Sequence, residues 1–221
     1  MQIPYPIKGV IFDMDGTLVQ TEPVHCEAWL KVLSRRGFQY DEHWFEQWIG
    51  QSDRILAQAV LEEHQLSIPA RVLQKEKEVL FHQLVVKANQ AFPGIEAGLK
   101  ILQERLPLAI ATNSSQRDAQ FVFQSTPIAS YMQAVFTADD VEHLKPSPEM
   151  YLLAARELGV APAACLVMED SPSGAEAARQ AGAYVIGLTS SRPKADMEAA
   201  HEWWDTPEQG MERILALTTP K

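Results

Sequence analysis

Short apolar segments that alternate with amphipathic helical segments constrain the possible folds of this chain most strongly. The segments that resemble buried strands are 7–12, 106–112, 164–169, 183–188 and, more weakly, 134–138. Polar or turn residues follow the first three of these directly, as they follow strands that end at the edge of a sheet. Helical patterns that end at Gly159 and Gly182 lie between the later strands. This alternation predicts an α/β fold built on a doubly wound parallel sheet.

Residues 18–90 follow a different pattern. They show helical periodicity over 25–37, 42–50, 53–66 and 70–90, and no segment among them resembles a strand. A connection between parallel strands usually needs only about a dozen residues, so this much helix is too long for one crossover. The sequence therefore predicts a core formed by 1–17 and 91–221, with an all-helical domain inserted at 18–90.

Composition and charge argue against several classes of protein. The 221 residues carry a formal net charge of −10, whereas a protein that binds nucleic acid needs a basic surface. No apolar stretch is long enough to span a membrane, and the first residues lack the pattern of a secretory signal. Cys26 and Cys165 share no metal-ligand spacing, so we expect both to be reduced in a cytoplasmic protein. Nothing in the sequence marks an interface, and we expect a monomer.

The polar residues that follow the strands form the candidate site. Ligands of an open parallel α/β sheet bind outside the carboxyl ends of its strands, so residues distant in sequence would meet there. These residues are Asp13, Asp15, Thr112, Asn113, Ser114, Lys145, Glu169 and Asp170. Up to four carboxylates in one pocket are strongly unfavourable unless a cation offsets their charge. An all-oxygen ligand set without histidine or cysteine favours a hard ion such as Mg²⁺.

Cationic and hydrogen-bonding groups would face the other side of this pocket. Lys145, the hydroxyls of Thr112 and Ser114, and backbone N–H groups suit a phosphoryl group, whose transition state spreads charge over three oxygens. No GxxxxGKS or GxxxxGKT sequence is present, so a nucleotide-type phosphate loop is not expected. Asp13 can attack phosphorus as a carboxylate nucleophile. Asp15 points the same way along an extended chain and can move the protons.

Four motifs, in their order and spacing, resemble those of the haloacid dehalogenase superfamily of phosphohydrolases. They are DMDGT at 13–17, ATNSS at 111–115, LKPSP at 144–148 and VMEDSPSGAEAARQAGA at 167–183. The resemblance covers essentially the whole chain. It implies a Rossmann-like core with a four-helix cap domain inserted directly after the first motif.

The resemblance also implies a role for each matching residue. Asp13 is then the nucleophile and Asp15 the general acid and base. The implied phosphate ligands are Thr112 and Lys145, with main-chain N–H groups at Asn113 and Ser114. The implied Mg²⁺ ligands are the Asp13 carboxylate, the Asp15 carbonyl and the Asp170 carboxylate, with Glu169 as a second acidic position. True dehalogenases lack the second aspartate, so Asp15 argues against that chemistry.

Within the superfamily the chain is most similar to the β-phosphoglucomutase-like group of sugar phosphatases and mutases. The segments EPVHCEAW and EKEVLF resemble cap segments of that group and place His25 and Lys77 at the substrate. Two simpler interpretations stay open, since His25 can pack within the cap and the KEKE stretch around Lys77 is typical of a solvated helix face.

One cap position departs from the mutases of this group, which usually carry an arginine three residues after a cap glycine. Here Asp53 stands three residues after Gly50, and Arg54, a candidate substrate contact, follows it. We therefore predict a Mg²⁺-dependent phosphatase of small phosphorylated metabolites, above all sugar phosphates, that acts through an aspartyl-phosphate. The alternatives are a phosphohexose mutase with the same intermediate and a non-catalytic protein that binds Mg²⁺ and a phosphorylated metabolite.

Overall fold

The computed structural model describes residues 6–49, 51–88 and 91–219, which form two compact units. The smaller unit is Thr21–Ala88, and the larger unit consists of the described residues on either side of it. This division is slightly narrower than the helical domain predicted at 18–90. Among the helices of both units, as far as the chain is described, none combines the length and apolar composition of a membrane span.

The described part of the smaller unit contains only α-helices. They are α1 (Glu22–Ser34), α2 (Glu42–Glu46), α3 (Asp53–Glu63) and α4 (Ala70–Val85). Their apolar residues recur every three or four positions and are buried, as Val60 of α3 and Phe81 of α4 are. The short helix α2 begins where the Asp41 carboxylate accepts the N–H of Trp44 at 2.9 Å, which satisfies one of its free N–H groups.

The described part of the larger unit contains a six-stranded parallel sheet, which confirms the predicted α/β core. The strands are β1 (Gly9–Phe12), β2 (Leu108–Ala111), β3 (Ala134–Phe136), β4 (Cys165–Glu169), β5 (Tyr184–Leu188) and β6 (Glu202–Trp204). Their spatial order is β3-β2-β1-β4-β5-β6. The chain order therefore reverses at β1, and such a switch point is where ligands bind in this kind of sheet.

The register of the central strands brings the predicted site residues to one edge. Phe12 at the end of β1 lies between Ile110 of β2 and Met168 of β4. All residues of these three strands are buried, as expected for parallel strands that are covered on both faces. The segments that begin at Asp13, Thr112 and Asp170, where these strands end, therefore leave the sheet side by side.

Five α-helices accompany the sheet in the described part of the larger unit. They are α5 (Ile95–Leu102), α6 (Gln116–Ser125), α7 (Glu149–Glu157), α8 (Pro172–Gln180) and α9 (Pro207–Leu217). Gly159 and Gly182 follow α7 and α8 with φ of +67° and +90°, a left-handed conformation that glycine adopts without strain. The sequence pattern does not predict α6 or β6.

Candidate active site

The loop after β1 holds the first two carboxylates in a tight turn. The N–H of Asp13 donates to the Met168 carbonyl of β4 at 3.0 Å, which fixes the start of the loop. Gly16 then adopts φ +75°, and a Cβ atom there would lie 2.1 Å from Asp170 Oδ2. Glycine is therefore required at this position for two reasons, the left-handed backbone conformation and the close approach of the Asp170 side chain.

A buried lysine connects the first and the last predicted motifs. Lys145 Nζ donates to Asp13 Oδ1 at 2.6 Å and to Glu169 Oε1 at 2.7 Å. Lys145 and Asp13 are each 7% exposed and Glu169 is fully buried, so these are short, charge-assisted bonds away from solvent. The side chain of Asn113 accepts the backbone N–H of Lys145 at 3.1 Å and holds its loop in place.

The hydroxyls of the second motif contact the second aspartate. Ser114 Oγ donates to Asp15 Oδ2 at 2.6 Å, and Thr112 Oγ1 donates to the same oxygen at 3.3 Å. The backbone N–H of Ser114 in turn donates to Thr112 Oγ1 at 3.1 Å. The structure thus brings Asp15 together with Thr112 and Ser114, two of the four residues predicted to bind phosphate.

Asp170 lies between two hydroxyl groups. Ser191 Oγ donates to its Oδ2 at 2.6 Å, and Thr17 Oγ1 donates to its Oδ1 at 3.3 Å. Burial and then the charge of Glu169 raise the pKa of Asp170 to about 7, against the weaker effect of these hydrogen bonds. The neutral form of Asp170 is therefore well populated near neutral pH when no cation is bound.

Three of the carboxylates form a group that could bind a metal ion. Oxygen atoms of Asp13, Glu169 and Asp170 all lie within 4.8 Å of one another. Burial raises the pKa of Asp13 well above its usual value, the Lys145 ammonium opposes this, and the neighbouring carboxylates raise it further. The concentration of buried negative charge and the all-oxygen donor set both suit a divalent cation of the hard type.

Four further residues contact the predicted ones and were assigned no role from the sequence: Thr17, Tyr151, Ser171 and Ser191. Thr17 and Ser171 stand within two of the four motifs, and this is a sequence signal that could have identified them. In the structure Thr17 contacts Asp170 and Ser171 contacts Glu169. Tyr151 is part of α7, and Ser191 follows β5. Nothing local in the sequence distinguishes either of these from other polar residues.

His25 and Lys77, two of the three predicted cap residues, lie together in one cluster of the smaller unit. Lys77 on α4 is buried, and its Nζ lies 2.7 Å from Asp53 Oδ2 and 2.5 Å from His25 Nδ1. Trp29 Nε1 donates to Asp53 Oδ1 at 2.8 Å, and the His25 ring stacks on Phe81 with centroids 4.2 Å apart. Lys77 is therefore not part of a solvated helix face, in contrast to the simpler interpretation of the KEKE stretch.

Asp53 stands at the position where the mutases of this group usually carry arginine, and both of its carboxylate oxygens accept hydrogen bonds. Burial alone would raise the pKa of Asp53, but the Lys77 ammonium and His25 outweigh burial and lower it below its usual value. Arg54, one residue later, is exposed on α3, and the cap glycine Gly50 lies outside the described residues.

Comparison with known proteins agrees with this geometry. A family model described as haloacid dehalogenase-like hydrolase matches residues 7–182. The fructose-1-phosphate phosphatase YqaB of Escherichia coli is 36% identical over 174 residues, which are 79% of this chain and 92% of that protein. The phosphorylated carbohydrates phosphatase of Thermotoga maritima is 35% identical over 181 residues, which are 80% and 82% of the two chains.

A solved structure extends the similarity to the whole fold. The crystal structure of a candidate β-phosphoglucomutase from Thermotoga maritima has a TM-score of 0.80 and 30% identity, and the match covers 95% of this chain and 99% of that one. The family resemblance stated from the four motifs is thereby confirmed. Since the family model spans far more than half of the sequence, this chain belongs to the haloacid dehalogenase-like hydrolases.

Proposed function

We propose that this hydrolase is a Mg²⁺-dependent phosphatase that cleaves monophosphate esters of small sugars through an aspartyl-phosphate on Asp13. The observation that supports this most directly is the contact between the buried Asp13 carboxylate and the Lys145 ammonium, with the Glu169 and Asp170 carboxylates beside it. The names of the two phosphatase relatives support the same reaction and favour phosphorylated sugars as the substrate class.

Lys145 prepares the nucleophile in this proposal. Burial favours protonation of Asp13, and the ammonium 2.6 Å away favours its ionised form, which is the form that attacks. Attack forms a bond from Asp13 oxygen to phosphorus and breaks the bond from phosphorus to the sugar oxygen. Lys145 stays next to the reacting atoms, where its charge stabilises the oxygens of the transferring group.

Asp15 moves the protons of both half-reactions. The hydroxyls of Ser114 and Thr112 hold one of its oxygens and so orient the carboxyl group. It gives a proton to the departing sugar oxygen and then takes one from the water that cleaves the aspartyl-phosphate. Release of inorganic phosphate returns Asp13 to its free carboxylate.

The residues that would hold the metal ion are the Asp13 and Asp170 carboxylates and the Asp15 carbonyl. Glu169 lies beside them as a further acidic residue. Their oxygen donors and their surplus of negative charge fit Mg²⁺. When bound, Mg²⁺ neutralises negative charge on the phosphoryl group and orients it for in-line attack.

The helical unit selects the substrate in this proposal, with His25, Lys77 and Arg54 as the candidate residues. A mutase handles a sugar bisphosphate and would need cationic side chains for a second phosphate. The Lys77 ammonium is instead paired with Asp53, the residue that stands where the mutases of this group carry arginine. This pairing favours a phosphatase of monophosphates over the mutase alternative.

The test is release of inorganic phosphate from a panel of phosphorylated sugars and other small metabolites, with and without Mg²⁺. We expect Mg²⁺-dependent release that Asp13→Asn abolishes, while the variant keeps its folded circular dichroism spectrum. Conversion of one sugar phosphate isomer to another without phosphate release would establish the mutase instead. Tight binding of a panel member without either reaction would establish the non-catalytic binding protein.

A further inference from the structure

We propose that Tyr151 is a positioning residue for the phosphatase reaction, because its hydroxyl holds Glu169 and Glu169 holds the Lys145 ammonium against Asp13. This inference rests on the proposed function. Tyr151 belongs to α7, the helix that begins four residues after Lys145, and it is 1% exposed. Its hydroxyl donates to Glu169 Oε1 at 3.1 Å.

Glu169 is surrounded by hydrogen-bond donors on both oxygens. Oε1 accepts Lys145 Nζ at 2.7 Å as well as the Tyr151 hydroxyl. Oε2 accepts the N–H of Ser171 at 2.7 Å and its hydroxyl at 2.9 Å. Four donors match the number of lone-pair sites of a carboxylate, so these groups use the whole acceptor capacity of Glu169.

The start of α8 packs against this carboxylate. A Cβ atom at Gly174 would lie 1.5 Å from Glu169 Oε1, so the helix backbone packs directly against the carboxylate. Glu169 is also fully buried, and no water can replace a lost donor from bulk solvent. A metal ion bound directly to Glu169 would have to displace one of the four donors. The geometry therefore assigns Glu169 to the lysine rather than to the metal.

Lys145 needs such an anchor because its stem is flexible. Its ammonium has three N–H donors at the end of a four-carbon chain with several rotatable bonds. Two donors point to Asp13 and Glu169, and the Tyr151 ring centroid lies 5.1 Å from Nζ. The third donor is the one that a phosphoryl oxygen would take. Tyr151 thus restricts the position of the ammonium in two ways. Its ring lies beside Nζ, and its hydroxyl holds Glu169, which accepts a hydrogen bond from Nζ.

The test compares wild type, Tyr151→Phe, Glu169→Gln and the double variant in steady-state phosphate release at saturating Mg²⁺. Tyr151→Phe keeps the buried ring and removes only the hydroxyl. We expect its kcat/KM to fall roughly tenfold, the order expected when a hydrogen bond to a charged group is lost. Because Tyr151 acts through Glu169, the double variant should lose no more than Glu169→Gln alone. Additive losses would overturn the proposal.

Tyr184→Phe is the matched control. Tyr184 is buried on β5, where it pairs with Leu166, whereas Glu169 pairs with Gly187 at the other end of the same strand. The control should therefore keep the wild-type kcat/KM. If Tyr151→Phe also keeps it and shows only a lower thermal midpoint, Tyr151 has a structural role and the proposal is wrong.

Two further readouts separate the lysine from the metal. The dissociation constant for inorganic phosphate, measured by calorimetry, should rise in Tyr151→Phe, while the Mg²⁺ concentration for half-maximal activity should not change. A higher Mg²⁺ requirement with unchanged phosphate binding would place Glu169 on the metal and overturn the proposal. A wild type that releases no phosphate from any panel compound refutes the proposed function itself. An active wild type with an unaffected Tyr151→Phe refutes this inference alone.

Discussion

Replacement of Lys145 by methionine should destabilise the metal-free protein by about 3–5 kcal/mol, the usual cost of removing one partner from a buried ion pair. Methionine preserves most of the apolar stem and removes the charge between Asp13 and Glu169. Asp13 can then take up a proton, since burial already raises its pKa well above the usual value. Glu169, fully buried, would lose the ammonium that donates to its Oε1 at 2.7 Å. The expected loss in the free energy of unfolding is therefore that of one broken ion pair, between Lys145 and Glu169, rather than two.

The assay is urea unfolding at pH 7 in the presence of a chelator, followed by circular dichroism. Glu169→Gln in the Lys145→Met background should recover part of the lost free energy of unfolding, because a neutral amide replaces the buried carboxyl group that lost its cation. Mg²⁺ should stabilise Lys145→Met as well, since a ligand that binds only the folded state raises its stability by mass action. Lys100→Met, at an exposed position of α5, is the control and should stay within about 0.5 kcal/mol of wild type.

A loss below about 1 kcal/mol for Lys145→Met would refute the reasoning, because removing the cation from a buried carboxylate should lower the free energy of unfolding by more than that. Failure of the second substitution to recover any stability would also refute it. That result would mean that packing of the lysine stem, and not its charge, stabilises this region.

Two further predictions concern the metal site. The pKa of Asp170 is raised to about 7 in the folded chain, above its usual 3.8, so the folded state binds more protons at this group and the contribution of Asp170 to stability falls as pH rises from 5 to 7. Thermal midpoints measured with a chelator should show this fall, Mg²⁺ should reduce it, and a flat profile with the chelator would contradict the assignment. Gly16→Ala should weaken Mg²⁺ binding, measured by calorimetry, because the added Cβ would displace Asp170. Gly37→Ala has the same kind of positive φ, with nothing within 4 Å of the new atom, and should leave Mg²⁺ binding unchanged; equal losses in both variants would mean that backbone strain alone is responsible.

Much of the fold could be predicted because its main signals are local. Buried parallel strands require continuous apolar segments, and such segments stand out from the helices between them. The predicted strands at 7–12, 106–112, 164–169, 183–188 and 134–138 each contain an observed strand. β6 was not predicted because it has three half-buried residues at the edge of the sheet and depends on its pairing with β5.

The helical unit shows where local patterns are insufficient. The alternating charges around Lys77 are typical of an exposed helix face, yet the structure buries this lysine between Asp53 and His25. The partners come from α3 and α1, so no pattern within α4 could indicate them. Tyr151 is a similar case, since an ordinary position of an amphipathic helix becomes a contact of Glu169 only in the folded chain.

Strand ends and motifs are short-range features, so the chemical groups that follow each strand, and hence the family and the class of reaction, can be read from local sequence. Which of these groups touch depends on the folded chain. Lys145 and Asp13 are 132 residues apart in sequence, and Thr17 and Asp170 are 153 apart. Contacts over such separations depend on strand order and register, which arise from the packing of the whole sheet and not from any single segment.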